Sequence, residues 1–320
     1  MAIRLMNVPC LPSVMTDTAP TLSPEAVATL RGDPRFPAAM RHAANSAVEL
    51  YRGDRFLNAL MSDRARLVFT HAALYLHYGG SWSGERGLTV GAMKDLCVEL
   101  KLCSRGRCEA MLALMRAAGL FVAVPSLDRR RRPLAPTEKL FALHRERWET
   151  QFDAMREVVP ASASYRDALV DPDFVRAFIV ALGWRFVAGL RILGQSPGIE
   201  LLAERNAGMI ILFALALAGP EQGPFPPHSP VPLSINALAT KFSVSRKHVL
   251  TLLRDAEAQG LLMRGGAAGN EVTLLPRCRE AFEMFFVTLF LYLAQGAEEA
   301  LATTGNSASG PPGLQALASR

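Results

Sequence analysis

Uninterrupted apolar runs of membrane length, a disulfide framework and a phosphate-binding glycine loop are all missing from this sequence. Its first twenty residues, MAIRLMNVPCLPSVMTDTAP, lack the sustained apolar core of a signal peptide. Five cysteines (Cys10, Cys97, Cys103, Cys108, Cys278) form an odd set without framework spacing. That argues against a disulfide-stapled secreted scaffold and for a reducing, cytoplasmic location. Three stretches are strongly apolar, at 174–193, 209–218 and 284–294. The last two are shorter than the roughly 20 residues a bilayer requires. The first is interrupted by Arg176, Arg185 and Arg191, which are costly at bilayer depth. All three are expected to be buried core helices, and no membrane partner is expected. No zinc-protease motif occurs. Gly194-Gln-Ser-Pro-Gly198 has the spacing of a nucleophile elbow. A helical rather than a strand pattern precedes Ser196, however, and Pro197 follows it, so the chemistry lacks its strand–turn–helix frame. Neither an enzyme, a cofactor nor a metal is expected.

Charge of one sign is only slightly in excess: 35 Lys and Arg against 29 Asp and Glu give +6. A polyanionic partner is compatible with that balance but not required by it. Half the residues are apolar and a fifth charged, which excludes a mainly disordered chain.

What the sequence does contain is an internal repeat. A shift of 141 positions lays Ser104-Arg105 on Ser245-Arg246 and Gly119-Leu120 on Gly260-Leu261. Between these anchors Cys108, Met111, Leu112 and Met115 fall on Val249, Leu252, Leu253 and Ala256. Both sets carry the i, i+3, i+4, i+7 spacing of one apolar helical stripe. Ser104 and Ser245 stand where an N-cap belongs, and Gly119 and Gly260 where a helix ends in a left-handed residue. Helical patterns at 37–61, 66–78 and 138–158 in one half match those at 172–193, 205–218 and 277–301 in the other. The expected organisation is therefore a flexible segment at 1–35, a domain at 36–158, a linker at 159–171, a second domain at 172–302 and a flexible tail at 303–320. The fold class expected is mainly α with small β-hairpins.

In the second copy Ser234 caps a short helix with Ile235, Leu238 and Ala239 on its apolar face. Phe242-Ser243-Val244 make a tight turn, and Ser245 caps the next helix. Two helices so joined form a helix-turn-helix, whose second helix presents its first turn to the major groove. That turn carries Ser245, Arg246, Lys247 and His248, all hydrogen-bond donors to phosphate or base edges. In the first copy Thr89 caps, the turn is one residue longer, and Ser104, Arg105 and Arg107 occupy the corresponding turn. A hairpin is expected after each helix. The first carries Arg129, Arg130, Arg131 and Arg132 at its tip, read either as a solvated turn or, following a helix-turn-helix, as a backbone or minor-groove contact. The second is glycine-rich and nearly uncharged, so the halves should contribute unequally.

On LSINALATKFSVSRKHVLTLLRDAEAQGLL and SRGRCEAMLALMRAAGLFVAVPSLDRRRR, the chain resembles winged-helix transcriptional regulators of the MarR-like type, over about 37–157 and again over 172–302. The resemblance implies a pair of winged helix-turn-helix domains packed through long terminal helices, equivalent to a homodimer fused into one polypeptide. It implies double-stranded DNA as partner, with a small-molecule pocket beside the packing layer. The chain departs from the family in its length, its duplication and its neutral second wing. Whether it acts as a single pseudo-dimer or as a homodimer stays open. Other uses of tandem winged helices, gripping another protein in chromosome-organising complexes or initiating plasmid replication, remain alternatives.

His71, Tyr75 and His77 lie on the apolar 66–78 helix and are candidates for an effector pocket, or else hydrogen-bonded core groups. Cys97, Cys103 and Cys108 gather around the first helix-turn-helix. They lack the fourth ligand and spacing of a metal site. Apolar packing is the plain reading of the three, with a redox switch as the alternative if the helix start at Ser104 lowers a thiol pKa.

Overall fold

A computed structural model describes residues 21–51, 64–79, 81–82, 85–126, 128, 131–267 and 269–308. The chain is mainly helical with small antiparallel sheets. The first half runs through helices α1 (Pro24–Gly32), α2 (Phe36–Leu50) and α3 (Arg64–Tyr78), then a two-residue ribbon of β1 (Ser81–Trp82) and β2 (Glu85–Arg86). Helices α4 (Val90–Glu99) and α5 (Arg105–Ala117), the hairpin β3 (Phe121–Ala123) and β4 (Leu134–Pro136), and α6 (Glu138–Ala154) follow. Then come α7 (Ser162–Ala168), α8 (Pro172–Val187), α9 (Glu200–Ala203) and α10 (Gly208–Leu217). The second half ends with β5 (Val231–Pro232), α11 (Ile235–Lys241), α12 (Arg246–Ala258), β6 (Leu262–Gly265), β7 (Glu271–Leu274) and α13 (Pro276–Ala308).

The four helices α4, α5, α11 and α12 each start where a hydroxyl can reach an orphan amide. Thr89 and Ser104 accept from Ala92 and Arg107 in the first half, Ser234 and Ser245 from Ala237 and His248 in the second. Both α5 and α12 end at left-handed glycines, Gly119 at φ 73° and Gly260 at φ 67°. Burial follows the 141-residue shift: Cys108, Leu112, Met115, Leu120 and Phe121 are buried, as are Val249, Leu253, Ala256, Leu261 and Leu262, while Val122 and Met263 are exposed. In the second half β5, β7 and β6 form one sheet in that order. The first half makes the same third edge with a single bridge, Thr89 to Pro133. Each hairpin closes onto the residue after the glycine, through Thr137 N–H to Leu120 O and Leu275 N–H to Leu261 O, and leads straight into the long helix.

The helices pack reciprocally. α2 lies on α6 and α8 on α13, each within its own half. Across the halves α2 lies on α10, and α8 lies on α3. The equivalent helices α2 and α8 thus each pack on the other half's member of the equivalent pair α3 and α10, the self-complementary pattern of an isologous interface. The layer between them is aromatic. Across the halves Trp148 meets Phe178 edge-on at 5.2 Å and Phe36 meets Phe290 at 6.1 Å, and within the second half Phe213 packs on Phe286 at 5.3 Å. Burying a Phe of this kind contributes roughly 2–3 kcal/mol. On α13 no residue from 281 to 297 is exposed, which explains its lack of a polar face. α13 has the length and composition to cross a membrane, yet 56% of its apolar window is buried inside the chain, as in a core helix.

Several boundaries differ from those read in the sequence. The segment 1–35 holds α1, capped by Ser23 and docked on α13 through an Arg31–Glu283 ion pair. The linker 159–171 contains α7: the Ser162 hydroxyl donates to Phe152 O, Tyr165 OH donates to Glu298, and Leu169 is buried. Its small polar residues find partners outside the segment, Phe152 O and Glu298, which composition does not reveal. α13 runs past 302 to Ala308, α8 stops at Val187 before a left-handed Gly189, and α10 begins at Gly208 rather than near Arg205. Residues 1–20, 52–63 and 309–320, on which parts of the expected tails and the 37–61 helix fall, lie outside the described residues.

Candidate nucleic-acid interface and central cavity

The two helix pairs are built alike at their turns. After α4, Lys101 takes a left-handed φ of 54° and Leu102 N–H bonds Cys97 O at 2.8 Å. After α11, Ser243 takes φ 55° and Val244 N–H bonds Ala239 O at 3.1 Å. Neither turn uses glycine, so this conformation was invisible to turn-residue reading. Cys103 is the additional residue of the first turn, between Leu102 and the Ser104 cap.

Ser104, Arg105 and Arg107 are exposed at the start of α5, as are Ser245, Arg246 and Lys247 at the start of α12. His248 differs. It is half-buried, and its Nε2–H donates to Asn206 O at 2.8 Å, tying α12 to the turn before α10. Arg254, which sequence reading missed, continues the exposed stripe Lys247–Thr251 by one more turn. The i, i+4, i+7 spacing was the available signal.

The first copy is partly neutralised. Arg105 pairs with Asp95, and Glu109 lies between Lys94 and Arg132, with Arg132 at 3.5 Å. The Lys94 ammonium holds the Glu109 carboxyl below its usual range. Arg107 in the first copy, and Arg246, Lys247 and Arg254 in the second, form no ion pair among the described residues. Arg131 donates its N–H to Asp128 O in the hairpin, while Arg129 and Arg130 lie outside the described residues.

Cys97, Cys103 and Cys108 converge beneath the first turn. Hydrogen bonding to Cys108, with burial, pushes the Cys97 thiol far up, and the same bond pulls Cys108 down. Cys103, beside the helix start, is pushed up by burial rather than lowered. Ser196 lies in a turn directly after a 3-10 helix rather than a strand, with its hydroxyl buried and without a hydrogen-bond partner among the described residues.

A cavity of about 300 Å³ lies between the halves. Two of the three effector-pocket candidates, His71 and Tyr75, line it; His77 does not, and meets the Tyr78 ring edge-on at 5.0 Å instead. His71 Nδ1–H donates to Leu67 O at 3.0 Å, and its ring meets His144 edge-on at 4.3 Å. The Thr70 hydroxyl donates to Leu67 O and therefore accepts from His144 Nε2–H at 3.1 Å. Burial pushes both imidazoles below their ordinary pKa. Sequence reading missed His144, Arg147 and Gln151. Their signal was polar side chains set into the apolar stripe Leu140–Trp148–Phe152 of α6. A comparison with known proteins found no matching family model, no matching curated protein and no matching solved structure.

Proposed function

We propose that the chain is a sequence-specific, double-stranded-DNA-binding regulator, built as two winged helix-turn-helix units fused into a pseudo-dimer, with a cytoplasmic location as part of the same reading. One observation carries it. Twice, at corresponding positions, a serine-capped helix follows a tight left-handed turn, exposes cations in its first turn and leads into a hairpin. A helix N-terminus with arginine at its surface suits phosphate and guanine alike. Because Arg107 faces α5 largely alone while Arg246, Lys247 and Arg254 act together on α12, the second copy should dominate affinity.

Selection from a random duplex library, followed by binding measured at fixed salt, tests this reading. Arg107→Ala and Arg246→Ala should each cost about 1–3 kcal/mol if they read bases, with Arg246→Ala the larger. Unchanged affinity in both variants would refute it.

A protein-gripping role is favoured by one feature of the first copy. Its cations Lys94, Arg105 and Arg132 are engaged by Glu109 and Asp95, while Leu114 and Val122 are exposed. Absence of duplex binding at low salt would transfer the argument to that role.

A further inference from the structure

The cavity between the halves is lined by polar side chains of one long repeat helix, α6, and by apolar side chains of its counterpart, α13, and the repeat explains the pairing. The hydrogen bonds that close the hairpins, Thr137 to Leu120 and Leu275 to Leu261, set α6 against α13 at a shift of 138 residues. At that shift Trp148 corresponds to Phe286, Arg147 to Phe285 and Gln151 to Leu289. All six line the same cavity. The cavity therefore sits where the halves face each other through equivalent positions, and those positions have diverged in polarity.

The polar side is incomplete. Among the described residues, Arg147 Nη2 and Gln151 Oε1 are both buried without a hydrogen-bond partner, one helical turn apart on the same face of α6. Arg147 has the Tyr51 ring beneath it at 4.9 Å, an attraction that supplies no acceptor. Burial brings its pKa down to about 10, so it remains a cation at neutral pH. Leaving a buried guanidinium without an anion is expensive. The other cation on the wall, Arg191, already bonds Phe186 O and lies over the Phe186 ring. The residues that α10 and α13 contribute to the lining are aliphatic and aromatic.

We propose that this cavity binds an anionic amphiphile, a carboxylate on an extended apolar tail, with its head on Arg147 and Gln151 and its tail along Phe285, Leu289 and Phe213. A guanidinium fork matches a carboxylate with two parallel hydrogen bonds. Gln151 presents its NH₂ to the second oxygen by a half-turn of its amide. The cavity volume falls at the lower end of ligand pockets, about 300–1,000 Å³, which suits a single acyl chain. Such a ligand touches both halves at once, so it links their relative placement to its own concentration. This proposal does not rest on DNA recognition.

The test uses the full chain, without DNA, and dodecanoate as probe, read by calorimetry and by the fluorescence of the cavity residue Trp148. One dodecanoate per chain is expected, with dodecanol binding more weakly. Arg147→Met should weaken dodecanoate at least tenfold, leave dodecanol unchanged and raise the melting temperature of the unliganded chain, because a buried unpaired cation is gone. Leu289→Trp, which fills the tail end, should weaken both. Gln151→Leu gives a second head-group variant, expected to weaken dodecanoate alone. The proposal is overturned if dodecanoate fails to bind, if Arg147→Met and Gln151→Leu leave its affinity unchanged, or if naphthoate binds and dodecanoate does not. Each outcome is read without reference to duplex binding, so its failure leaves the DNA reading intact.

Discussion

Replacing Gly183 by Ala sets two physical effects against each other, and the structure decides their sign. Gly183 lies inside α8, where an alanine should favour the helix by about 1 kcal/mol. The same methyl group would stand 2.4 Å from Tyr75 Cδ2, 2.5 Å from Cγ and 2.6 Å from Cβ. Ordinary contact begins near 3.4 Å. Turning the tyrosine ring relieves only part of the clash, because the Cβ moves only with the α3 backbone. Overpacking of this kind costs about 1–3 kcal/mol, so the net expectation is a loss of up to about 2 kcal/mol. In a chain of this size that lowers the melting temperature by about 1–2 °C per kcal/mol. Urea unfolding of a double-mutant cycle supplies the decisive comparison. With Tyr75→Gly, all three obstructing atoms are gone, and Gly183→Ala should become neutral or stabilising. A stabilised Gly183→Ala in the parent chain, or an equal loss in both backgrounds, would refute the close approach of α3 to α8 and with it the reciprocal packing of the halves.

Two further outcomes follow from single contacts. Ser104→Ala and Ser245→Ala each remove a cap and should cost about 1 kcal/mol, adding in the double variant because the sites share no partner; hydrogen exchange should quicken at the Arg107 and His248 amides, and unchanged exchange would contradict the caps. His71 and His144 have lowered pKa values in the folded chain, so the unfolded chain binds their protons first. Their contribution is present above the unfolded pKa near 6.5 and is lost as pH falls below it toward the folded values. The melting temperature should therefore drop between pH 7.5 and 5.5, His144→Gln should reduce that drop, and an identical profile in the variant would sink the assignment.

Local structure was legible because it is written in short-range chemistry. A serine before an apolar stripe and a glycine after it were enough to locate α5 and α12, since caps and burial act within one helix. The turns were read in place, but not their left-handed Lys101 and Ser243, because neither residue type advertises that conformation. The 159–171 segment misled for the opposite reason: Ser162 and Tyr165 look like linker residues, and only distant partners, Phe152 O and Glu298, make them structural. His77 failed as a cavity residue because helical spacing assigns a face only to within a turn. Arg147 and Gln151 escaped because a polar residue inside an apolar stripe resembles a stripe edge until the opposing wall is known.

The opposing wall is also what the repeat could not reveal by itself. Aligning the halves predicts that they pack, but not that α2 chooses α10 and α8 chooses α3. Once that exchange is seen, the central cavity follows, since α6 and α13 line it with equivalent residues of each repeat. In a dimer of identical chains those positions would be identical, and such a cavity would carry either two cations or none. One polypeptide containing both halves escapes that restriction. Arg147 and Gln151 stand on one side, Phe285 and Leu289 on the other. A ligand with one charged end can then bind in a single orientation, which a symmetric pair of chains would not permit.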